Sequence, residues 1–282
     1  MQVKKALITA AGPDQRNLAL QTLVDRDGTR KTVLEILINE ARQAGIEEIG
    51  IVIQPTDLEV HKSIVNNDSQ IQFILQDKPR GYGYAILCGS SFIGNDYFLH
   101  LVGDHLYVNR SEKPCAKHLV EIAVKNKSSV SAVTSTRENL IPNYGTVGGH
   151  RIHPTNDLYQ IDKVIEKPTP TLAEQKLIIP GLRAGHYLCF LGMHVLSPAI
   201  MELLKQKSDE TGDAKFGLSE ALNELASKEQ YLALEKNDLR FDIGSTYGLL
   251  KAQLALGLSG IDRDIIQSEL LEFFAIQNTS LK

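Results

Sequence analysis

The chain has 282 residues, 43% of them hydrophobic and 23% charged, which is ordinary for a globular protein long enough to bury a large core. Its formal net charge of −4 excludes a global attraction to nucleic acid or to an anionic membrane, so any polyanionic ligand must meet locally placed cations. Three widely spaced cysteines (Cys88, Cys115, Cys189), the lack of a transmembrane-length apolar stretch and a very short apolar run near Met1 predict a cytoplasmic protein with reduced thiols and no membrane or nucleic-acid partner.

The first half alternates strand and helix. Val3 to Thr9 reads as a buried strand running into Ala10-Ala11-Gly12. Lys31 to Ala44 carries an amphipathic stripe (Val33, Leu34, Leu37, Ile38, Ala41) that Gly45 ends. Strands follow at Ile49 to Ile53, Ile71 to Leu75 and Tyr97 to Val102, separated by helices near Leu58 to Val65 and Gly83 to Ser91. Helix Ala116 to Lys125 and strand Val130 to Thr136 add another round. This order predicts an α/β fold with a doubly wound, mostly parallel sheet and helices on both faces.

From about Asn143 the pattern turns β-rich. Tyr144 to Gly149 and Ile161 to Glu166 read as strands joined by a polar turn, and Tyr187 to Val195 as a third. Ser197 reads as the N-cap of the next helix with Pro198 at its first position. Ser219 to Ser227 and Tyr247 to Leu256 read as helices, Tyr231 to Leu234 and Leu239 to Ile243 as strands. Asp262 to Phe274 is an amphipathic terminal helix, suited to packing on the body or on a second subunit and making a homo-oligomer plausible.

Chemistry-bearing residues gather at strand ends. Asp104 ends Tyr97-Phe98-Leu99-His100-Leu101-Val102-Gly103, and Asp242 lies in Arg240-Phe241-Asp242-Ile243-Gly244. A carboxylate at the C-terminal end of a strand suits a hard cation in the ligand crevice of an open α/β sheet, although for either residue alone a solvated strand end or N-cap is the favoured reading. The loop Ala10 to Arg16 lets backbone N–H groups approach a base or phosphate, or is an ordinary strand-to-helix turn. Gln76, at the end of its strand, offers an amide donor and acceptor to a base edge, and Gly81 and Gly83 permit close backbone approach before a helix. Glu166-Lys167-Pro168 sets opposite charges side by side, for a sugar hydroxyl and a phosphate or as a surface strand end. His105 and His186 read as solvent or core histidines. No G-x-G-x-x-G follows the first strand, which weighs against a dinucleotide-dependent oxidoreductase.

Taken in order, these segments resemble the sugar-1-phosphate nucleotidyltransferases, and among them the bacterial UTP–glucose-1-phosphate uridylyltransferases. The resemblance covers roughly Lys4 to Ala255, through Ala11-Gly12 with Arg16, Gln76 with Gly81, Gly103-Asp104, Tyr144-Gly145, Glu166-Lys167-Pro168, Phe216 to Ala221 and Asp242 with Gly244. It implies a Rossmann-like nucleotide-binding sheet with a small β-rich sugar-binding portion. Residues 1–258 would form one domain, 1–142 its nucleotide half and 143–258 its sugar-phosphate half, with 259–282 as a helical tail. It implies that a nucleoside triphosphate, best taken as UTP, joins a sugar 1-phosphate, best taken as glucose 1-phosphate, and releases pyrophosphate. Asp104 and Asp242 would hold Mg²⁺. Ala11, Gly12, Gln76 and Gly81 would bind the base, Arg16 would meet the departing phosphates, and Gly145, Glu166 and Lys167 would take the sugar phosphate.

The chain departs from the family near this chemistry. Asp14-Gln15-Arg16 replaces Gly-Thr-Arg, Leu20-Gln21 replaces a Pro-Lys pair, and His186-Tyr187 stands where Ser-Asn is common. Loss of the lysine charge should weaken transition-state stabilisation by roughly 2–4 kcal/mol unless replaced. Arg26, Arg30 and Lys31, clustered around Asp27-Gly28, are the expected replacements. The alternative is a non-catalytic, nucleotide- or sugar-phosphate-binding regulatory descendant.

Overall fold

The computed structural model describes residues 1–12, 16–65, 68–109 and 113–280. Strand β1 (Val3–Thr9) leads to a short hairpin, β2 (Thr22–Val24) and β3 (Arg30–Thr32), and then to α1 (Val33–Gln43), β4 (Glu48–Ile53), α2 (Leu58–Ile64) and β5 (Ile71–Leu75). Next come α3 (Tyr82–Cys88), α4 (Ser90–Ile93), β6 (Tyr97–Val102), β7 (His105–Val108), α5 (Cys115–Asn126) and β8 (Ser129–Arg137). The second half holds β9 (Gly145–Arg151), β10 (Leu158–Glu166), α6 (Pro170–Lys176), β11 (His186–Leu196), α7 (Ala199–Thr211) and α8 (Ser219–Lys228). The chain continues through β12 (Tyr231–Glu235), β13 (Leu239–Asp242), α9 (Gly248–Gly257) and α10 (Arg263–Ser280).

One sheet runs through both halves in the order β5-β4-β1-β6-β11-β8-β12-β10-β9. Its central strands are apolar on both faces because helices cover both. In β1, Ala6 and Ile8 join one core with Leu34 and Leu37 of α1 and Leu119 of α5. Leu7 points the other way, into a core with Ile86 of α3, Leu204 of α7 and Leu222 of α8. The doubly wound reading therefore holds. Parallel pairing links β5, β4, β1 and β6 and returns between β8 and β12. The other neighbours are antiparallel, which makes the second half of the sheet mixed. For β9 and β10 the cause is local: they are joined directly as a hairpin, and such a short connection permits only antiparallel pairing. β9 also pairs with β11, curling the hairpin back onto the middle of the sheet.

Helix α1 starts where Thr32 and Glu35 form a reciprocal capping box: the Glu35 N–H donates to Thr32 Oγ1 (3.2 Å) and the Thr32 N–H to Glu35 Oε2 (2.6 Å). The expected cap at Ser197 does not form. Its hydroxyl donates instead to Glu229 Oε2 at 2.9 Å, tying the end of β11 to the end of α8, and α7 begins at Ala199. The helix expected at Gly83 to Ser91 breaks into α3 and α4 at Gly89, where a Cβ would lie 2.7 Å from the Leu7 side chain. All three cysteines are free thiols. Among the described residues no helix is long and apolar enough to cross a membrane. The terminal helix packs less than its stripe suggested: Ile265, Leu271, Phe273 and Phe274 are exposed, while Ile266 lies against Gly257.

Candidate active site

A cleft of about 540 Å³ opens at the C-terminal ends of the parallel strands, on the face where loops after β1 and β5 meet the segment before α8. Ala11 and Gly12 line it from the end of β1, and Gln76 from the end of β5. The Gln54 amide, whose Nε2 donates to the Ala11 carbonyl at 3.0 Å, holds the first loop down. The buried Gln76 side chain donates through Nε2 to the Lys78 carbonyl (3.1 Å), which fixes the orientation of its amide. Gly81 adopts φ +96, and a Cβ there would sit 2.5 Å from the Phe216 carbonyl. Backbone bonds from Phe216 N–H to the Arg80 carbonyl and from Gly83 N–H to the Phe216 carbonyl, 3.1 Å each, lock this loop to the start of α8. Glycine is required here by both conformation and space.

At one side of the cleft the two sequence-distant aspartates meet. Antiparallel pairing of β13 with β7 sets Asp242 opposite His105, and the Ile243 N–H donates to the Asp104 carbonyl at 3.0 Å. Asp242 Oδ1 accepts from the Gly244 N–H (3.0 Å). A Cβ at Gly244 would lie 3.3 Å from Asp242 Oδ1 and 3.8 Å from Asp104 Oδ2, so both carboxylates converge on that glycine. One atom each from Asp104, His105 and Asp242 falls within 4.8 Å of the others. Two carboxylate oxygens beside an imidazole form a donor set that fits a divalent cation.

The opposite wall comes from the β-rich half. The register of β9 with β10 pairs Gly145 with Glu166, and the Lys167 N–H donates to the Tyr144 carbonyl at 3.1 Å. Lys167 has φ +47, the turn that ends β10, and lines the cleft. Glu166 Oε2 accepts from the Ser219 hydroxyl at 2.5 Å. A Cβ on Gly145 would approach that same oxygen to 3.0 Å and Phe190 to 2.9 Å, so this site also requires glycine.

His105 and His194 line the cleft, and the fully buried His100 lies behind them. His100 Nε2 meets the Tyr82 hydroxyl at 2.5 Å, and its Nδ1 meets the Leu7 carbonyl at 2.9 Å. His194 stacks on His100 with ring centroids 6.1 Å apart, and its Nδ1 lies 2.5 Å from the Ser131 hydroxyl. Burial lowers His100 to about 4 and His105 to about 3, with the Arg240 charge adding to the effect at His105; burial also takes His194 well below its ordinary value. These rings are neutral at physiological pH.

Eight of the sequence-named residues line this one cleft: Ala11, Gly12, Gln76, Gly81, Gly145, Glu166, Lys167 and Asp242. Asp104 reaches its edge through Asp242. Arg16 stands apart, donating to Gln54 Oε1 (3.0 Å) and pairing with Asp57 (3.3 Å). Gln21 donates to the Asn17 carbonyl and does not line the cleft. The expected replacement cations do not line it either. Lys31 is held by Asp25 (2.7 Å) and Asp27 (2.6 Å), Arg26 bonds Asn109, and Arg30 sits with them on the β2–β3 hairpin. That hairpin is fastened to α9 by two hydrogen bonds between Val24 and Gln253. Asp14 and Gln15 lie outside the described residues, and His186 and Tyr187 are absent from the cleft lining.

Sequence reasoning missed Lys215 and Arg240, two cations that do line the cleft. Arg240 stacks its guanidinium over Tyr144 (4.5 Å to the ring centre) and donates to the Phe190 carbonyl at 3.1 Å. Its position two residues before Asp242, on the same strand, was the available signal. Lys215, one residue before the Phe216 segment, gave only its nearness to a resemblance motif.

A family model described as nucleotidyl transferase matches residues 23–257. A UTP–glucose-1-phosphate uridylyltransferase of Streptococcus pyogenes is 27% identical over 288 aligned positions, spanning 91% of this chain and 90% of that protein. Among solved structures, a UDP-glucose pyrophosphorylase complexed with UDP-glucose superimposes with a TM-score of 0.74 at 23% identity, covering 90% of this chain and 98% of that one. A UDP-glucose pyrophosphorylase from Acinetobacter baumannii gives 0.75 at 24% identity, covering 96% and 100%. The fold is shared with these enzymes, and the chain belongs to the nucleotidyl transferase family.

Proposed function

We propose that this chain is a UTP–glucose-1-phosphate uridylyltransferase. The phosphate of glucose 1-phosphate attacks the α-phosphorus of UTP in line, a new phosphorus–oxygen bond forms, and the bond to the β-phosphate breaks to release pyrophosphate. The observation that carries this reading is the meeting of three groups in one cleft: Gln76 with Gly81, Glu166 with Lys167, and Asp242 with Asp104. Phosphoryl transfer of this kind needs positioning and charge neutralisation and no covalent nucleophile on the protein.

Gln76 reads the uracil edge with the amide atoms that Lys78 leaves available, while Ala11, Gly12 and Gly81 bring backbone close to the base. Glu166, oriented by the Ser219 hydroxyl, accepts hydrogen bonds from sugar hydroxyls, and Gly145 leaves the sugar its space. Lys167 meets the sugar phosphate. Arg16 reaches the departing phosphates by exchanging Asp57 and Gln54 for them. Lys215 and Arg240 supply the positive charge that Gln21 lacks. Asp104 and Asp242 would hold a divalent cation, and the chemistry it would supply there is neutralisation of charge on the phosphates. Residues 1–258 work as one domain, with the nucleotide bound by 1–142 and the sugar phosphate by 143–258, and residues 259–282 form a tail.

Asp104→Asn and Asp242→Asn, which keep shape and remove charge, should each lower pyrophosphate release by a factor on the order of 10³ with no change in circular dichroism. A variant that keeps the parent rate would remove the metal assignment.

A further inference from the structure

The aspartate pair has a third neighbour. His105 heads β7 directly after Asp104, and its Nε2 lies 4.0 Å from Asp104 Oδ1. Three features hold the ring at this point. The β7–β13 register puts His105 opposite Asp242. Strand β11 shifts register between Phe190 and His194, and within that shift Gly192 takes φ +76. A Cβ on Gly192 would lie 2.6 Å from His105 Nδ1, so only glycine leaves the ring its place. The side chain is 16% exposed, and that small open part belongs to the cleft lining. Register shifts of this kind re-aim side chains at sites.

We propose that His105 is a third protein ligand of the cation held by Asp104 and Asp242, and that it makes the site select Mn²⁺ over Mg²⁺. The inference rests on the assignment of the two aspartates in the proposed function. Ligands about 2.1 Å from a common ion lie roughly 3–4 Å apart, so atoms within 4.8 Å of one another need close by only about an ångström. Mg²⁺ takes oxygen ligands at near-ideal octahedral positions and keeps its waters. An imidazole nitrogen is a softer donor than carboxylate or water and favours divalent transition ions over Mg²⁺, with Mn²⁺ the least strongly bound of that series. Two carboxylates and one imidazole leave further positions for phosphate oxygens and water.

The test reads the metal directly, without turnover. Mn²⁺ is added to the full chain with UTP and no sugar phosphate, and the bound ion is examined by electron spin echo envelope modulation, with Mn²⁺–UTP alone as the reference that lacks an imidazole ligand. Direct coordination predicts a ¹⁴N coupling of imidazole type in the parent that disappears in His105→Gln. It also predicts that the preference for Mn²⁺ over Mg²⁺ falls at least about tenfold in that variant. A parent spectrum without nitrogen coupling overturns the inference whether or not the variant folds. If Mn²⁺ binding is then still lost in Asp104→Asn and Asp242→Asn, the aspartate assignment survives and only the histidine ligand falls. Should those variants bind Mn²⁺ as the parent does, both fall together.

Discussion

At the scale of single residues, charge is what the cleft must supply. Lys167, Lys215 and Arg240 line it, while Lys31 is spent on Asp25 and Asp27. Arg240→Ala or Lys215→Ala should therefore lower kcat/KM for nucleotidyl transfer about 30- to 1,000-fold, the cost of about 2–4 kcal/mol of transition-state stabilisation. Arg26→Ala and Lys31→Ala should leave it within about threefold. Steady-state kinetics on the four variants separates the two sets, and the reverse ranking would restore the hairpin as the source of charge. The buried histidines set a second residue-scale expectation. His100 and His194 bind protons far less readily folded than unfolded. Their contribution to stability is thus fully present above pH 6.5 and is lost progressively below it, for His100 until pH has fallen through about 4. For His100 the fall from 6.5 to about 4 corresponds to on the order of 3 kcal/mol. Urea midpoints at pH 7 and pH 4.5 should differ, and His100→Gln should flatten the difference if the variant folds with the Tyr82 contact satisfied.

At the scale of elements, the site depends on two backbone junctions. One is the β7–β13 ribbon that brings Asp242 to Asp104. The other is the locking of residues 80–83 against Phe216. Gly81→Ala meets both a left-handed φ and a backbone carbonyl at 2.5 Å, and should cost about 1–3 kcal/mol in urea unfolding while weakening UTP binding. Gly217→Ala has nothing within 4 Å of its new methyl and should leave stability unchanged. Equal stability for both variants would contradict the junction. The strand-end signals were legible because Asp104 closes an apolar run directly after Gly103, and Asp242 ends a short strand two residues before Gly244. The strand-helix alternation of the first half was legible for a similar reason: strands buried on both faces leave continuous apolar runs. The ribbon was not, because β7 is only four residues long and follows β6 after two turn residues, with no periodicity of its own. His105 and Arg240 inherit that limit, since each joins the cleft through the ribbon.

At the scale of the molecule, one sheet runs beneath both walls of the cleft, so the distance between them is set by packed strands and not by a hinge. The tail contributes little to this frame: Ile265, Leu271, Phe273 and Phe274 are exposed, and the family match ends at residue 257. Removal of residues 268–282 should lower the melting temperature by no more than a few degrees and spare the cleft. A chain that fails to fold without them would show that the helix completes the core. One cleft that joins UTP to a sugar 1-phosphate needs both substrates at once. Pyrophosphate release should be measured with Mg²⁺ or Mn²⁺ across the common nucleoside triphosphates and several hexose 1-phosphates. Release should need UTP and glucose 1-phosphate together and be lost in Asp242→Asn. Silence for every pair, or release indifferent to the sugar phosphate, would contradict it.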